Sequence, residues 1–334
     1  MGSRQRSTAD LAEIRELVRL RANEHGGAFR RSDLDGWRVP DGVVPSMLRR
    51  GWWTRLHHGV YADSRLLDDD AESPAGHLLQ CAASLKALPG PAYAFGPTAA
   101  LVHGLPQQRG ILSDVHLIRP IDRDGRALRR RITAPDHLEP ARIRAHHLTP
   151  EDVVVVNGIP TVRRALAALS TAAMSGREWA VATLDAAAWQ QPSVPDELAA
   201  MAAQWSHLRG IGTVRSVLPL VRCGAQTPLE SLSRIRLIQC GVPEPELQSP
   251  VHDRDGLIGY VDMLWESLGV VGEADGLIKY ATREDLVNEK RREDRIRAAG
   301  YSVVRWTWRE IMADPADVAQ RVVQAAARRS FRTA

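Results

Sequence analysis

The chain has 334 residues and a formal net charge of +4, with 44% hydrophobic and 25% charged residues. A chain of this length usually divides into two or three domains, because one hydrophobic core rarely grows beyond about 250–300 residues. No apolar run approaches the roughly 18 residues of a membrane span, and the N-terminus lacks the apolar stretch of a secretory signal. The three cysteines are far apart and fit neither a disulfide framework nor a zinc motif, so we expect a reducing, cytoplasmic location.

The basic residues are in modest excess towards the N-terminus. Residues 1–63 hold 11 Lys and Arg against 8 Asp and Glu, whereas residues 225–334 hold 16 against 17. A positive N-terminal region permits binding to nucleic acid through the phosphates but does not require it.

The first part of the chain is predicted to form three short helices and a hairpin. Apolar residues at helical spacing predict a helix over residues 10–25, with Asp10 as its N-cap and Glu13 as the capping-box partner. A second helix is predicted over residues 31–37, and a third begins after Pro40-Asp41 and runs to Arg50-Gly51. The segment Trp52–Tyr61 alternates and turns at His58-Gly59, which predicts a small hairpin.

This order of elements is typical of a winged helix-turn-helix. The third helix would present Ser46, Arg49 and Arg50, and the hairpin would present Arg55 and His57. A helix of this kind fits the major groove of double-stranded DNA, where arginines bond phosphates or guanine edges. The alternative is a module of the same shape that contacts another protein.

Residues 64–223 are predicted to form an α/β scaffold with no site of its own. We find no nucleophile beside a base and no phosphate-binding loop in this region. Periodicity predicts helices over residues 71–89, 97–103, 162–174, 178–189 and 196–208, and strands over residues 92–95, 114–119 and 143–147. The all-valine run 153–156 is predicted to be a buried strand.

Acidic residues interrupt two apolar runs that otherwise resemble buried strands. Asp262 lies in the first run, and Glu273 and Asp275 lie at the end of the second. Burying a carboxylate costs free energy unless a cation compensates it. A hairpin centred near Ser267-Leu268 would set Asp262 roughly opposite Glu273 and place Glu273 and Asp275 on one face.

Three carboxylates on one patch have the oxygen ligands that a hard divalent cation such as Mg²⁺ prefers. The alternative is that these acids lie at exposed strand ends and in the turn, where they need no compensation.

The surrounding segments predict the order helix, two or three strands, helix, strand, helix. The first helix starts at the Thr227 cap with Pro228 in its first position and stops at Gly241, and Glu230 and Arg234 are spaced to pair on one face. The remaining elements are a charged helix, a strand and a last helix, predicted over residues 283–299, 301–306 and 315–329.

Roughly the first half of the chain resembles the AbiEi family of antitoxins in its winged-helix region. The resemblance lies in Gly27–Leu34, in Leu48–Tyr61 with its Gly-Val-Tyr ending, and in Ala99–Pro106 with its His-Gly-Leu-Pro. It implies DNA binding, often at the protein's own promoter, and a nucleotidyltransferase-like toxin protein as a partner.

Residues 224–330 are similar to the restriction-endonuclease-like fold, also called PD-(D/E)xK, and look like an uncharacterised endonuclease family related to very-short-patch repair enzymes. The matching segments are Pro228–Ser231, Gly259–Trp265, Gly272–Gly276 and Glu289–Trp306.

This second resemblance implies roles for individual residues. Asp262 and Glu273 would be ligands of Mg²⁺ or Mn²⁺, and Glu230 would support the metal or its water. Asp275 stands where many nucleases of this fold have a lysine, so either Lys279 reaches back to the site or a second carboxylate brings a second metal.

Two cationic side chains on the charged helix are further candidates. Lys290 and Arg295 would contact DNA phosphates, or they would belong to a solvated helix face.

The sequence as a whole predicts an α+β multidomain protein. The predicted parts are a winged helix-turn-helix (residues 1–63), a middle α/β domain (64–223) and a restriction-endonuclease-like domain (224–334). Three functions stay open: a metal-dependent DNA endonuclease, a non-catalytic DNA-binding regulator or antitoxin with a degenerate nuclease domain, and a plain interaction scaffold.

Overall fold

A computed structural model describes residues 7–40, 42–68, 73–121, 141–275 and 283–330. The fold is α+β, and the chain forms two compact units: residues 1–175 with 197–214, and residues 176–196 with 215–334. The three-domain division at residues 63 and 223 stays a prediction. Among the helices in the described ranges, none combines the length and the apolar character that crossing a membrane requires.

The first unit begins with three helices and a three-stranded antiparallel sheet of order β1-β3-β2. The predicted hairpin is confirmed, since His57 pairs with Val60 across the turn. The elements are α1 (Thr8–Asn23), β1 (Ala28–Arg30), α2 (Arg31–Gly36), α3 (Val43–Arg49), β2 (Trp53–His57) and β3 (Val60–Asp63).

The N-cap of α1 is Ser7 and not Asp10, so that prediction was wrong. The Ser7 hydroxyl accepts a hydrogen bond from the Asp10 amide, and the Asp10 carboxylate accepts one from the Ser7 amide, each at 3.1 Å. Asp10 is therefore the third residue of a capping box that starts three positions earlier.

Aromatic packing joins these helices to the sheet. Phe29 meets Trp53 edge to face at 4.9 Å between ring centroids, and Val18 and Met47 are buried in the same core. The buried Asp63 at the end of β3 accepts two hydrogen bonds from Arg15 of α1, at 2.6 and 2.8 Å. This bidentate pair fixes α1 against the sheet.

A five-stranded mixed sheet of order β6-β5-β4-β8-β7 follows in the first unit, with parallel pairs β5–β6 and β4–β8. The strand β8 was not predicted, and the prediction that residues 153–156 are buried was wrong, because Val155 at the sheet edge is 69% exposed. The elements are α4 (Pro74–Ala87), β4 (Tyr93–Ala94), α5 (Gly96–Val102), β5 (Val115–Pro120), β6 (Ala141–His146), β7 (Val153–Val156), β8 (Ile159–Val162) and α6 (Arg164–Ala172).

The rest of the described chain forms seven further α-helices and the four strands of a third sheet. The last sheet has the order β12-β11-β10-β9, in which only β11 and β12 run parallel. The elements are α7 (Arg177–Ala188), α8 (Val194–Gln204), α9 (Ile211–Val217), α10 (Pro228–Gln239), β9 (Glu246–Asp253), β10 (Gly256–Trp265), β11 (Val270–Asp275), α11 (Arg283–Ala298), β12 (Ser302–Thr307), α12 (Trp308–Ala313) and α13 (Pro315–Ser330).

Two tryptophans fill the core on one side of this sheet. Trp265 and Trp306 are almost fully buried with Met263 and Val270. A Cβ atom at Gly272 would lie 2.6 Å from the Trp306 ring and 2.8 Å from the Trp265 ring, so only glycine fits between them. This close approach sets the position of β11, whose next residue carries a carboxylate.

Candidate active site and nucleic-acid interface

The acid-bearing hairpin has the predicted register. Met263 pairs with Gly272 and Trp265 with Val270, so the turn is centred between Ser267 and Leu268. Continuing the same antiparallel register by one pair sets Asp262 of β10 opposite Glu273 of β11. Directly opposed side chains in such a pair have Cβ atoms about 5 Å apart.

Asp262 is half-buried and is held by two donors. Its Oδ2 accepts a hydrogen bond from the Ala274 amide at 2.8 Å, and its Oδ1 accepts one from the Gln248 side-chain amide at 3.2 Å. The first bond comes from the neighbouring strand, so the carboxylate is oriented by the hairpin itself.

Glu230, in the first turn of α10, is 3% exposed. Its Oε2 accepts hydrogen bonds from the Gln226 amide at 2.9 Å and from Gln248 Nε2 at 3.2 Å, and its Oε1 accepts one from the Thr227 hydroxyl at 2.8 Å. Burial first, and then the nearby charge of Asp262, raises the pKa of Glu230, against hydrogen bonds that lower it.

Gln248 of β9 joins these two carboxylates and was not singled out from the sequence. Its side-chain amide donates to both Glu230 and Asp262. Its backbone has φ of +50°, a left-handed conformation that is uncommon for a residue other than glycine and costs free energy. Only the β9–β10 register, in which Ser249 pairs with Val261, places Gln248 across from Asp262, so no local pattern could have identified it.

Glu273 is a buried acid with a raised pKa. Its side chain lies against α11, where Arg292 Nη2 donates to its Oε1 at 3.2 Å. Burial and the charge of Asp262 raise the pKa of Glu273 to about 7, although Arg292 and Arg305 both act to lower it. The carboxyl group is therefore poised between its two protonation states near neutral pH.

Arg292 is shared between several acceptors. The same Nη2 that contacts Glu273 also donates to the Tyr260 carbonyl at 2.5 Å, and Nη1 donates to Glu289 at 3.4 Å. Arg305 of β12 bonds Glu289 and lies 3.2 Å from Glu293. Among the described residues, Arg292 is thus the cation bonded to Glu273, and its charge is divided among other partners.

Two of the predicted site residues cannot be placed with the others. The side chain of Asp275 and the whole of Lys279 lie outside the described residues, although the backbone of Asp275 pairs with Thr307 at the end of β11. Within the described ranges, no group of three or more His, Cys, Asp or Glu side chains could hold a metal ion. The described part of the site therefore consists of the opposed pair Asp262 and Glu273, with Glu230 attached through Gln248.

The predicted pairing of Glu230 with Arg234 is wrong. Both are buried in α10, but Arg234 donates to Asp185 of α7 at 2.9 Å and to the Leu220 carbonyl at 2.7 Å. The carboxylate of Glu230 instead accepts hydrogen bonds from Thr227 and Gln248, and Gln248 joins it to Asp262.

The two candidate phosphate contacts on α11 differ in their availability. Lys290 is exposed. Arg295 forms a bidentate pair with Asp253, at 2.9 and 3.0 Å, and this contact raises the pKa of Arg295. A phosphate would have to compete with that carboxylate for Arg295.

On the N-terminal side, exposed arginines lie at the end of α3. Arg49 and Arg50 are exposed, and Arg49 donates to the half-buried Ser46 hydroxyl at 3.4 Å. On the hairpin Arg55 is exposed, whereas His57 is 6% exposed and faces Ser84 at 3.4 Å. The buried ring of His57 lacks the exposed surface that a DNA contact needs.

Comparison with known proteins gives a limited result. No protein-family model matches the chain. It is similar to two curated proteins from two strains of Mycobacterium tuberculosis, "Uncharacterized protein MT2308" and "Uncharacterized protein Rv2248". Each is 26% identical over 278 residues, which cover 83% of this chain and 93% of the relative. The similarity extends over both units, and the names of the two relatives state no activity or partner.

Proposed function

We propose that this protein binds double-stranded DNA and that its second unit hydrolyses phosphodiester bonds with the help of a divalent cation. The observation that carries the proposal is that the half-buried Asp262 faces the buried Glu273, with the buried Glu230 joined to Asp262 by Gln248. Acids gathered in this way stabilise the fold poorly, because their charges repel and burial disfavours ionisation.

The arrangement of the elements around these acids supports a nuclease. The order α10, three antiparallel strands, α11 and a parallel β12 agrees with the order that the resemblance to the restriction-endonuclease-like fold implies, and so supports the proposal. In that resemblance the helix-borne acid and the two strand acids correspond to Glu230, Asp262 and Glu273.

The donor set suits a hard cation. Asp262 and Glu273 offer carboxylate oxygens, which Mg²⁺ and Mn²⁺ prefer, and they would hold the ion between the two central strands. A bound cation of this kind lowers the pKa of its water and offsets negative charge on a phosphate. Gln248 orients Asp262 and joins it to Glu230, and Arg292 supplies positive charge beside Glu273 until a ligand displaces it.

The DNA-binding part of the proposal depends on α3 and the β2–β3 hairpin. Three short helices followed by an antiparallel hairpin are the order of elements in a winged helix-turn-helix. Arg49, Arg50 and Arg55 are exposed on these elements and carry the charge that phosphate contacts require.

A plasmid assay tests the catalytic proposal. Wild-type protein should nick supercoiled plasmid in the presence of Mg²⁺ or Mn²⁺, and Asp262→Ala and Glu273→Ala should not. Glu266→Gln, which changes an exposed acid in the same hairpin, is the matched control and should keep full activity. Equal nicking by the wild type and both site variants would mean contamination and would remove the catalytic claim.

A binding assay tests the interface on α3. The double variant Arg49→Ala with Arg50→Ala should bind duplex DNA more weakly. Its affinity should also depend less steeply on salt, because a complex with fewer phosphate contacts releases fewer counterions from the DNA. An unchanged salt slope would refute this placement of the DNA-contacting helix.

One observation favours a second function, that of a non-catalytic DNA-binding regulator or antitoxin. Arg292 already neutralises part of the charge on Glu273, so the nuclease-like unit would be stable without a metal. Under this alternative the wild type binds DNA, leaves plasmid intact with either metal, and contacts a partner such as a toxin protein.

A further inference from the structure

A group of arginines lies along the free edge of β12, on the side away from β11. A groove of about 430 Å³ runs between β12 and α13, and its lining, as far as the structure describes it, contains no acidic residue. Its polar lining includes Ser302, Gln324 and four arginines, which are Arg297, Arg305, Arg321 and Arg328. We refer to these four side chains and the space between them as the arginine groove.

The arginines differ in how firmly they are held. Arg321 donates to the Arg305 carbonyl at 3.1 Å and to Glu310 at 3.0 Å, which fixes α13 along β12. Arg297 pairs with Glu293 of its own helix, and its side chain is 54% exposed. Arg328 is exposed and has no ion pair among the residues that the structure describes. Arg297 and Arg328 therefore keep most of their hydrogen-bonding capacity for a ligand.

The open edge of the sheet adds backbone groups to this groove. Within the described residues β12 pairs with β11 alone, and the Ser302 amide donates to the Gly269 carbonyl at 2.9 Å. Because alternate residues of a strand point their backbone groups to opposite neighbours, Val303 directs its N–H and C=O away from β11, towards the groove.

The groove is next to the carboxylate site. Arg305, which lines the groove, is the register partner of Glu273 on the adjoining strand. Neighbouring strands are about 4.8 Å apart, and the phosphates of one DNA strand follow each other at about 3.4 Å along the helix axis. A DNA strand that crosses the carboxylates can thus bring its next phosphates to the arginines.

We propose that the arginine groove binds the phosphodiester backbone of DNA that flanks the position of Asp262 and Glu273. The planar fork of an arginine matches two phosphate oxygens, and the exposed forks of Arg297 and Arg328 can bind successive phosphates. Arg305 and Arg321 are held by glutamates and add positive charge to the same groove. This inference rests on the proposed function, since it assigns the groove to the same DNA. Its position next to the carboxylates favours DNA over an acidic peptide.

The test measures binding of a fluorescein-labelled 20-base-pair duplex to the full chain by anisotropy, in EDTA, at several salt concentrations. The double variant Arg297→Ala with Arg328→Ala should lose about tenfold in affinity, and its salt slope should fall by about two, at roughly 0.9 for each phosphate contact. Arg309→Ala is the matched control, because Arg309 is an exposed arginine of the same unit that does not line the groove.

The outcomes separate this inference from the proposed function. Wild-type affinity and slope in the double variant would overturn the groove assignment while leaving DNA binding intact, and so would an equal loss in Arg309→Ala. Absence of binding by the wild type would overturn both proposals. A poly-glutamate peptide that binds the wild type and not the double variant, with DNA affinity unchanged, would reassign the groove to an acidic peptide.

Discussion

Two groups of buried charge in the second unit are satisfied in opposite ways. Around Asp185 and Arg234 each charge has a partner of opposite sign, and both side chains have 0% exposure. Around Asp262 and Glu273 the acids outnumber their cationic partners. The Asp185–Arg234 pair stabilises the fold, whereas the acids Asp262 and Glu273 are available for a ligand.

The first group is closed. Arg234 bonds Asp185 and the Leu220 carbonyl, and the Arg222 amide donates to the other oxygen of Asp185 at 2.8 Å. These contacts tie α7, α10 and the segment between them together. Nothing is left for an external cation to neutralise.

The second group is open. Glu230 and Asp262 share the Gln248 amide, and Glu273 shares Arg292 with other acceptors. The pKa values of both glutamates are raised chiefly by burial and then by the charge of Asp262. Mutual repulsion and burial of these acids oppose folding unless a cation offsets their charge. A cation-dependent role gives a reason for them.

The largest effect is expected from breaking the closed group. Arg234→Ala leaves the fully buried Asp185 without its cation and should lower the free energy of unfolding by about 3–5 kcal/mol. Urea denaturation followed by circular dichroism measures this change, with Arg309→Ala as the exposed control. A loss below about 1 kcal/mol would show that the pair is not a structural requirement.

Removing a charge from the open group should raise the free energy of unfolding instead of lowering it. The raised pKa of Glu273 means that the folded state keeps a proton that the unfolded state has lost, so stability falls as pH rises from about 4.5 to about 7. Glu273→Gln should remove this penalty and be more stable than the wild type by about 3 kcal/mol at pH 8, with little difference at pH 4.5.

Urea denaturation in EDTA at the two pH values checks this prediction. A stability difference between Glu273→Gln and wild type that is the same at pH 4.5 and pH 8 would contradict the raised pKa.

A smaller effect on stability is expected at Gln248, where two variants distinguish backbone strain from the loss of hydrogen bonds. Both Gln248→Gly and Gln248→Ala lose the amide that joins Glu230 to Asp262, but only glycine relieves the left-handed backbone. The glycine variant should therefore be more stable than the alanine variant by about 1 kcal/mol, the reverse of the usual order in strands. Thermal unfolding of the two variants tests this, and alanine being the more stable would show that the backbone is not strained.

The sequence predicted the parts of the site that depend on local spacing. The hairpin between β10 and β11 has the predicted centre because its turn and its apolar alternation are encoded within a few residues. The start of α10 at Thr227 and Pro228 was also predicted correctly, since capping is a local effect.

What the sequence did not predict depends on contacts between distant segments. Gln248 reaches the acids only through the β9–β10 register, and Arg292 reaches Glu273 only because α11 packs across the sheet. The wrong pairing of Glu230 with Arg234 has the same origin, because helical spacing allowed it while Asp185, 49 residues away in sequence, was the better partner.

The central claim is that Asp262 and Glu273 together form a site for a divalent cation. The most direct measurement is a calorimetric titration of the protein with Mn²⁺ at pH 8 and pH 6. We expect wild type and Glu266→Gln to bind at pH 8 and more weakly at pH 6, where Glu273 takes up its proton, and Asp262→Asn to lose binding at both. Equal Mn²⁺ affinity in wild type and Asp262→Asn would contradict the claim.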